Sequence, residues 1–216
     1  MSRFAIIFGF TSFLCSTAVS VQANAADLNK LLPTLKEGGH VIVFRHVATD
    51  DSQKDVYPFK FEDMTAQRQL SEKGRDAARQ LGSAFRSLGI PVGEIFTSKL
   101  NRAVETGKLL TAKEVTPMNE LTDSGAGSAT AMARPGGGGN AALGRALREM
   151  ANIAPKPGTN TIIITHKTNI ADAFGKDWGD VQEGEASIFK PKPSGSGQAA
   201  LVGRVQANEW ISQAGK

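Results

Sequence analysis

Two of the three histidines in this chain end the two most apolar of its predicted strands. His46 follows Val41-Ile42-Val43-Phe44 and Arg45; His166 follows Thr161-Ile162-Ile163-Ile164-Thr165. Continuous apolar runs of this length predict strands buried on both faces, so each histidine stands where a strand leaves the core. A histidine at a strand end is often only structural, but here arginines accompany the pair. Arg45 directly precedes His46, and Arg102 falls in the first turn of a helix predicted to open after a further strand. A guanidinium grips phosphate oxygens two at a time, and a helix N-terminus adds backbone donors. The residue types therefore point to recognition of a phosphate-like anion.

The elements that must position these residues follow from the pattern. Leu28, Leu31, Leu32 and Leu35 have helical spacing up to Gly38-Gly39, with Pro33 as a late start or kink. Residues 48–69 are polar and irregular, and a loop of that length in a compact domain is usually functional. Ser71 predicts a cap for a helix running to about Leu88, with Ala77, Ala78, Leu81, Ala84, Phe85 and Leu88 as its buried stripe and Gly89 and Pro91 as its stop. Glu94–Thr97 predicts a short strand, and Ser98 a cap for the helix that carries Arg102. Residues 122–140 are rich in Gly, Ala and Ser; their Gly136–Gly139 run lacks the strand-linked spacing of a nucleotide cradle and predicts a loop. A helix from about Asn140 to Ile153, a short helix from Ile170 to Phe174 and an antiparallel pair at Ala186–Lys190 and Ala199–Val205 complete the pattern. Alternating strands and helices give an α/β fold, in which ligands bind beyond the carboxyl ends of the strands, where His46 and His166 stand.

The N-terminus predicts export. Arg3 is the only charge before Asp27, an apolar run follows it, and Ala23-Asn24-Ala25 is the small-x-small pattern that precedes cleavage. Residues 1–25 are thus expected to be a signal peptide and 26–216 a single domain that is periplasmic or secreted. The alternative, an uncleaved anchor, is disfavoured because Thr11, Ser12, Ser16 and Thr17 interrupt an apolar stretch that falls short of the roughly 20 residues a spanning helix needs. The lone cysteine, Cys15, lies in this leader, so disulfides, thiolate catalysis and zinc-thiolate sites are excluded from the mature chain. Removing residues 1–25 takes Arg3 with it and leaves 24 Lys and Arg against 21 Asp and Glu, a net charge of +3. The basic residues are scattered, which argues against a nucleic-acid surface. No stable membrane association is expected after cleavage.

Four motifs together resemble the histidine phosphatase superfamily. Phe44-Arg45-His46 is similar to its Arg-His motif, and Leu70-Ser71-Glu72-Lys73-Gly74-Arg75 to its L-S-x-x-G helix start. Thr97-Ser98-Lys99-Leu100-Asn101-Arg102-Ala103-Val104-Glu105-Thr106 resembles S-S-x-x-x-R-A-x-x-T, and Ile164-Thr165-His166 the strand that delivers a second histidine. They occur in the family's order across residues 28–205, and the resemblance is to small secreted bacterial members. It implies a phosphoglycerate mutase-like three-layer sandwich, with a mostly parallel central sheet and helices on both faces. It also implies a phosphatase working without metal or other cofactor, with His46 as nucleophile and Arg45, His46, Arg102 and His166 around the phosphate.

The chemistry is coherent with those residues. A neutral imidazole attacks a phosphate dianion without the repulsion an anionic nucleophile meets, and it leaves well afterwards. Two arginines and a second histidine neutralise the equatorial oxygens, so catalysis is mostly positioning and electrostatics. His46 needs its other ring nitrogen held, as by a backbone carbonyl. A general acid must protonate the leaving oxygen. By resemblance to the family's L-x-E followed by glycine, Leu121-Thr122-Asp123 with Gly127 makes Asp123 the first choice and Glu120 the second; Glu185, which would enter a strand near the site, is the third. Val47 and Lys167 stand where many members have glycine, and both are expected at the pocket rim; Gln67 and Arg68 are expected near its mouth. His40 is expected to pack or face water. The substrate expected is a small-molecule or peptide-borne phosphate ester. Two other readings stay open: a non-catalytic phosphate-binding relative, and a phosphotransferase or phosphohistidine phosphatase.

Overall fold

The structure, a computed structural model, describes residues 27–122 and 140–216. The leader expected at 1–25, Asp123 and the Gly136–Gly139 run lie outside the described residues. Among those described, a six-stranded sheet runs in the order β3-β2-β4-β1-β5-β6. Its strands are β1 (Val41–Arg45), β2 (Val92–Ser98), β3 (Thr116–Met118), β4 (Asn160–Thr165), β5 (Ala186–Lys190) and β6 (Ala200–Val205). The four strands β3, β2, β4 and β1 are parallel neighbours; β5 runs antiparallel to β1, and β6 to β5.

Helices cover both faces. Those described are α1 (Leu28–Glu37), α2 (Glu72–Ser87), α3 (Asn101–Thr111), α4 (Ala141–Ala151), α5 (Lys167–Phe174) and α6 (Ala207–Ala214). Successive residues of β1 point to opposite faces, and both faces are apolar. Ile42 and Phe44 join Leu81 and Phe85 of α2, Ala103 and Leu110 of α3 and Trp210 of α6 in one core. Val41 and Val43 join Leu147 of α4 and Ile170 of α5 in the other. The expected α/β sandwich, mostly parallel and covered on both faces, is the fold observed.

Several elements differ from expectation in their bounds or caps. Strand β2 extends two residues earlier than expected and one later. Helix α5 begins at Lys167 rather than Ile170, directly after His166. Helix α6 was not expected: a Gln206–Glu209 capping box starts it and the fully buried Trp210 fastens it. Ser98 is not the cap of α3; Leu100 occupies that position, and Ser98 Oγ instead accepts the Leu100 N–H at 3.1 Å. Ser71 does cap α2, accepting from the Gly74 N–H at 3.1 Å.

Candidate active site

Strand register alone brings the two histidines together. β1 and β4 pair in parallel with Arg45 opposite Thr165, so the next residues outward are His46 and His166. The His46 N–H continues the ladder by donating to the Thr165 carbonyl at 3.1 Å. The imidazole centroids lie 5.3 Å apart with the rings inclined at 60°. Both side chains are buried, His46 at 3% exposure and His166 at 2%. Arg102, in the first turn of α3, is buried to the same degree.

Each imidazole has one nitrogen committed. The Nδ1 of His46 lies 2.8 Å from the carbonyl oxygen of Val47, the next residue. A carbonyl only accepts, so Nδ1 carries the proton and Nε2 keeps its lone pair. Burial is the main reason why the ring stays neutral, and the Arg102 charge adds to it; together with Arg45 and Arg68 they outweigh the Val47 carbonyl and hold the proton affinity down at about 3. The Nε2 of His166 lies 2.7 Å from Ser98 Oγ, while its Nδ1 is buried without a hydrogen-bond partner. Burial first, then the field of Arg102, also holds His166 well below an ordinary histidine.

The arginines are held by neighbouring acceptors. Arg45 donates from Nη1 to the Val181 carbonyl at 2.9 Å and from Nη2 to Glu183 at 3.1 Å, and its Nε is buried without a partner. Arg102 donates from Nη1 to Asp55 Oδ1 at 2.9 Å. Arg68 acts on both histidines as a third positive charge, and its Nε is also buried without a partner. Buried polar atoms left without a partner are uncommon, and three of them occur on residues whose charges or rings act on one another here.

The motif residues around this cluster have identifiable mechanical roles. Thr106 Oγ1 donates to the Arg102 carbonyl at 2.6 Å and accepts the Val47 N–H at 3.4 Å, tying the arginine helix to the His46 strand end. A Cβ on Gly74 would stand 2.0 Å from the Ala48 carbonyl oxygen, so only glycine lets α2 approach the His46 segment this closely. Gln67, expected at the pocket mouth, is buried and structural: Nε2 donates to the carbonyls of Lys60 and Phe61, and Oε1 accepts the Asn101 N–H at 2.9 Å. It moors the 48–69 loop to the start of α3.

Several expectations are corrected. Val47 is not on the rim: it is 1% exposed and packs into the α2-side core. Glu120 is exposed on a 3-10 turn after β3 and is not among the buried groups of the pocket. Glu185 is buried but fully engaged, with Oε1 on Arg204 at 2.5 Å and Oε2 accepting from Gln206 and from the Gln182 N–H. It locks the β5–β6 edge and has no oxygen to spare for a substrate. Lys167 is exposed, as a rim residue should be, and His40 packs with its Nδ1 3.1 Å from the Gly38 carbonyl oxygen. Asp55, Glu183 and Ser98's link to His166 carried no motif that could have announced them.

The family model of the histidine phosphatase superfamily (branch 1) matches residues 41–135. No curated protein matches the chain. Among solved structures, the fold is similar to that of a mycobacterial glucosyl-3-phosphoglycerate phosphatase, at 18% identity and a TM-score of 0.54, covering 78% of this chain and 100% of that one. It is also similar to the α-ribazole phosphatase of Shigella flexneri (16% identity, TM-score 0.52, covering 78% and 96%). A mutant phosphoserine phosphatase of Entamoeba histolytica in complex with phosphoserine is similar too (13% identity, TM-score 0.51, covering 79% and 98%). Over residues 41–135, which hold His46 and Arg102, the chain is similar to the histidine phosphatase superfamily (branch 1), and its α/β fold is similar to that of these solved phosphatases.

Proposed function

We propose that the chain is a phosphomonoesterase that passes the phosphoryl group through His46. The observation that carries this reading is the His46 ring: neutral, buried, its Nδ1 proton held by the Val47 carbonyl at 2.8 Å and its Nε2 left nucleophilic beside Arg102 and His166. Nε2 attacks phosphorus, the ester P–O bond breaks, and water then hydrolyses the phosphohistidine. Arg45, Arg102 and Arg68 neutralise the phosphoryl oxygens. In this reading the Ser98 hydroxyl donates to His166 Nε2 and the His166 proton sits on Nδ1, the atom buried without a partner, as a donor to a phosphoryl oxygen. The substrate is a small or peptide-borne monoester met after export, in the periplasm or outside the cell.

The test is hydrolysis of p-nitrophenyl phosphate by the purified protein in EDTA, with His46→Ala alongside. We expect turnover that survives EDTA and falls at least ~10³-fold in the variant, the scale on which loss of a nucleophile is felt. A folded wild type that binds inorganic phosphate or vanadate without turning over substrate would leave a phosphate-binding relative in its place.

A further inference from the structure

We propose that Asp55, from the 48–69 loop, is the general acid of this site; the inference rests on the phosphomonoesterase reading above. Its carboxylate sits on Arg102: Oδ1 accepts from Arg102 Nη1 at 2.9 Å and from the Arg68 N–H at 2.9 Å. Both contacts fall on Oδ1, so Oδ2 is the oxygen that carries a proton. The side chain is 21% exposed, sheltered yet reachable from solvent, while its arginine is 1% exposed.

The other described carboxylates fit the role less well. Glu120 is exposed, and Glu185 has both oxygens bound to Arg204, Gln206 and Gln182. Glu183 sits on Arg45 and is more open at 33% exposure. Among the charges that depress both imidazoles, Arg102 comes first. A phosphoryl group held by Arg102 between those rings therefore lies next to the carboxylate that Arg102 already holds.

This placement supplies the proton when it is needed. A phosphate held on the same guanidinium lies beside the Asp55 carboxyl, within reach of Oδ2. Asp55 then enters the step as the acid. Its Oδ2 proton passes to the bridging ester oxygen as the P–O bond breaks and the His46 Nε2–P bond forms. The products are a neutral alcohol, phosphohistidine and the Asp55 anion. In the second step the anion takes a proton from water as that oxygen attacks phosphorus and the N–P bond breaks, releasing inorganic phosphate.

Leaving-group dependence separates this role from mere support of Arg102. Asparagine at position 55 keeps an acceptor oxygen for Arg102 and Arg68 and removes only the acidic proton. For Asp55→Asn we expect kcat/KM on glycerol 2-phosphate to fall at least ~10²-fold, within the range of general-acid contributions. On p-nitrophenyl phosphate, whose leaving group needs little protonation, the loss should stay under ~10-fold. Asp55→Glu should recover part of the glycerol phosphate activity. An equal loss on both substrates with weaker inhibition by inorganic phosphate would reduce Asp55 to a support for Arg102. The same split in Asp123→Asn or Glu183→Gln, and not in Asp55→Asn, would move the acid elsewhere. If the wild type shows no His46-dependent turnover of p-nitrophenyl phosphate, the phosphatase reading itself fails, a result distinct from both.

Discussion

The proton on His46 Nδ1 is placed by the backbone of its own neighbour, a contact that costs the protein no further side chain. His166 depends instead on Ser98, 68 positions away in sequence. Ser98→Ala would leave a buried imidazole nitrogen without a partner, a penalty of about 1–3 kcal/mol wherever it is felt. It would also let the His166 proton move to Nε2, away from the phosphoryl oxygens. We expect Ser98→Ala to weaken inhibition by inorganic phosphate about tenfold, which a fall in thermal stability alone would not do. Arg102→Lys should lose nearly as much activity as Arg102→Ala, because an ammonium cannot serve Asp55 and a phosphoryl oxygen with one planar fork; steady-state kinetics of both variants decides this. At this scale His46, Arg45, Arg102 and His166 were legible because strand ends and helix starts show in local pattern. Ser98 was misread as a cap because its type suits one, and only the β2–β4 register reveals His166 beside it. Asp55 left no local trace: it stands in the irregular 48–69 loop and meets Arg102 from 47 positions away in sequence.

Among the elements, α2 shows how a motif glycine can serve packing and not backbone freedom. By helix propensity Gly74→Ala should stabilise by about 1 kcal/mol. The added Cβ would stand 2.0 Å from the Ala48 carbonyl oxygen, and backbone cannot move aside cheaply. The clash should win: Gly74→Ala is expected to lower stability by about 1–3 kcal/mol in urea unfolding. Activity should fall with it, because Ala48 follows Val47 in the segment that holds His46. The β5–β6 edge offers a second case. Glu185 is 1% exposed and bound to an Arg204 side chain that is 11% exposed. Removing one partner of such a pair typically costs about 3–5 kcal/mol. Glu185→Ala should therefore unfold at markedly lower urea while any folded fraction keeps its leaving-group preference; a folded variant with altered preference would put Glu185 back among the acids. Strands β1 and β4 and helix α2 were legible because their apolar periods are unbroken. Helix α6 was not, since eight residues carry too little periodicity and its hold comes from Trp210 packing against Phe85, at ring centroids 4.8 Å apart.

For the whole molecule, one consequence of this architecture is a dependence of stability on pH. The alternation of strands and helices made the α/β class legible, but not the depth at which the parallel strands β1 and β4 would bury their terminal histidines. His40, His46 and His166 are all buried, and burial is the first cause lowering the proton affinity of each. In the unfolded chain each returns to an ordinary value near 6.5. Between pH 6.5 and the folded-state value, about 3 for His46, the unfolded chain therefore binds more protons than the fold does. Stability then rises with pH through that interval, is complete above about pH 7, and is lost progressively as pH falls below 6.5. Each histidine kept fully neutral contributes a slope of about 1.4 kcal/mol per pH unit, so His46, held down at about 3, and His166, held well below its ordinary value, should together dominate the interval above pH 4.5, where most carboxylates are already ionised. We expect melting temperatures to climb from pH 4.5 to 6.5 and level off by pH 7.5. His46→Gln should flatten part of that climb, because glutamine takes up no proton in either state. Inorganic phosphate should raise the whole curve by binding only the folded protein. A climb of unchanged steepness in His46→Gln would mean that the buried imidazole at the strand end is not what the fold protects from acid.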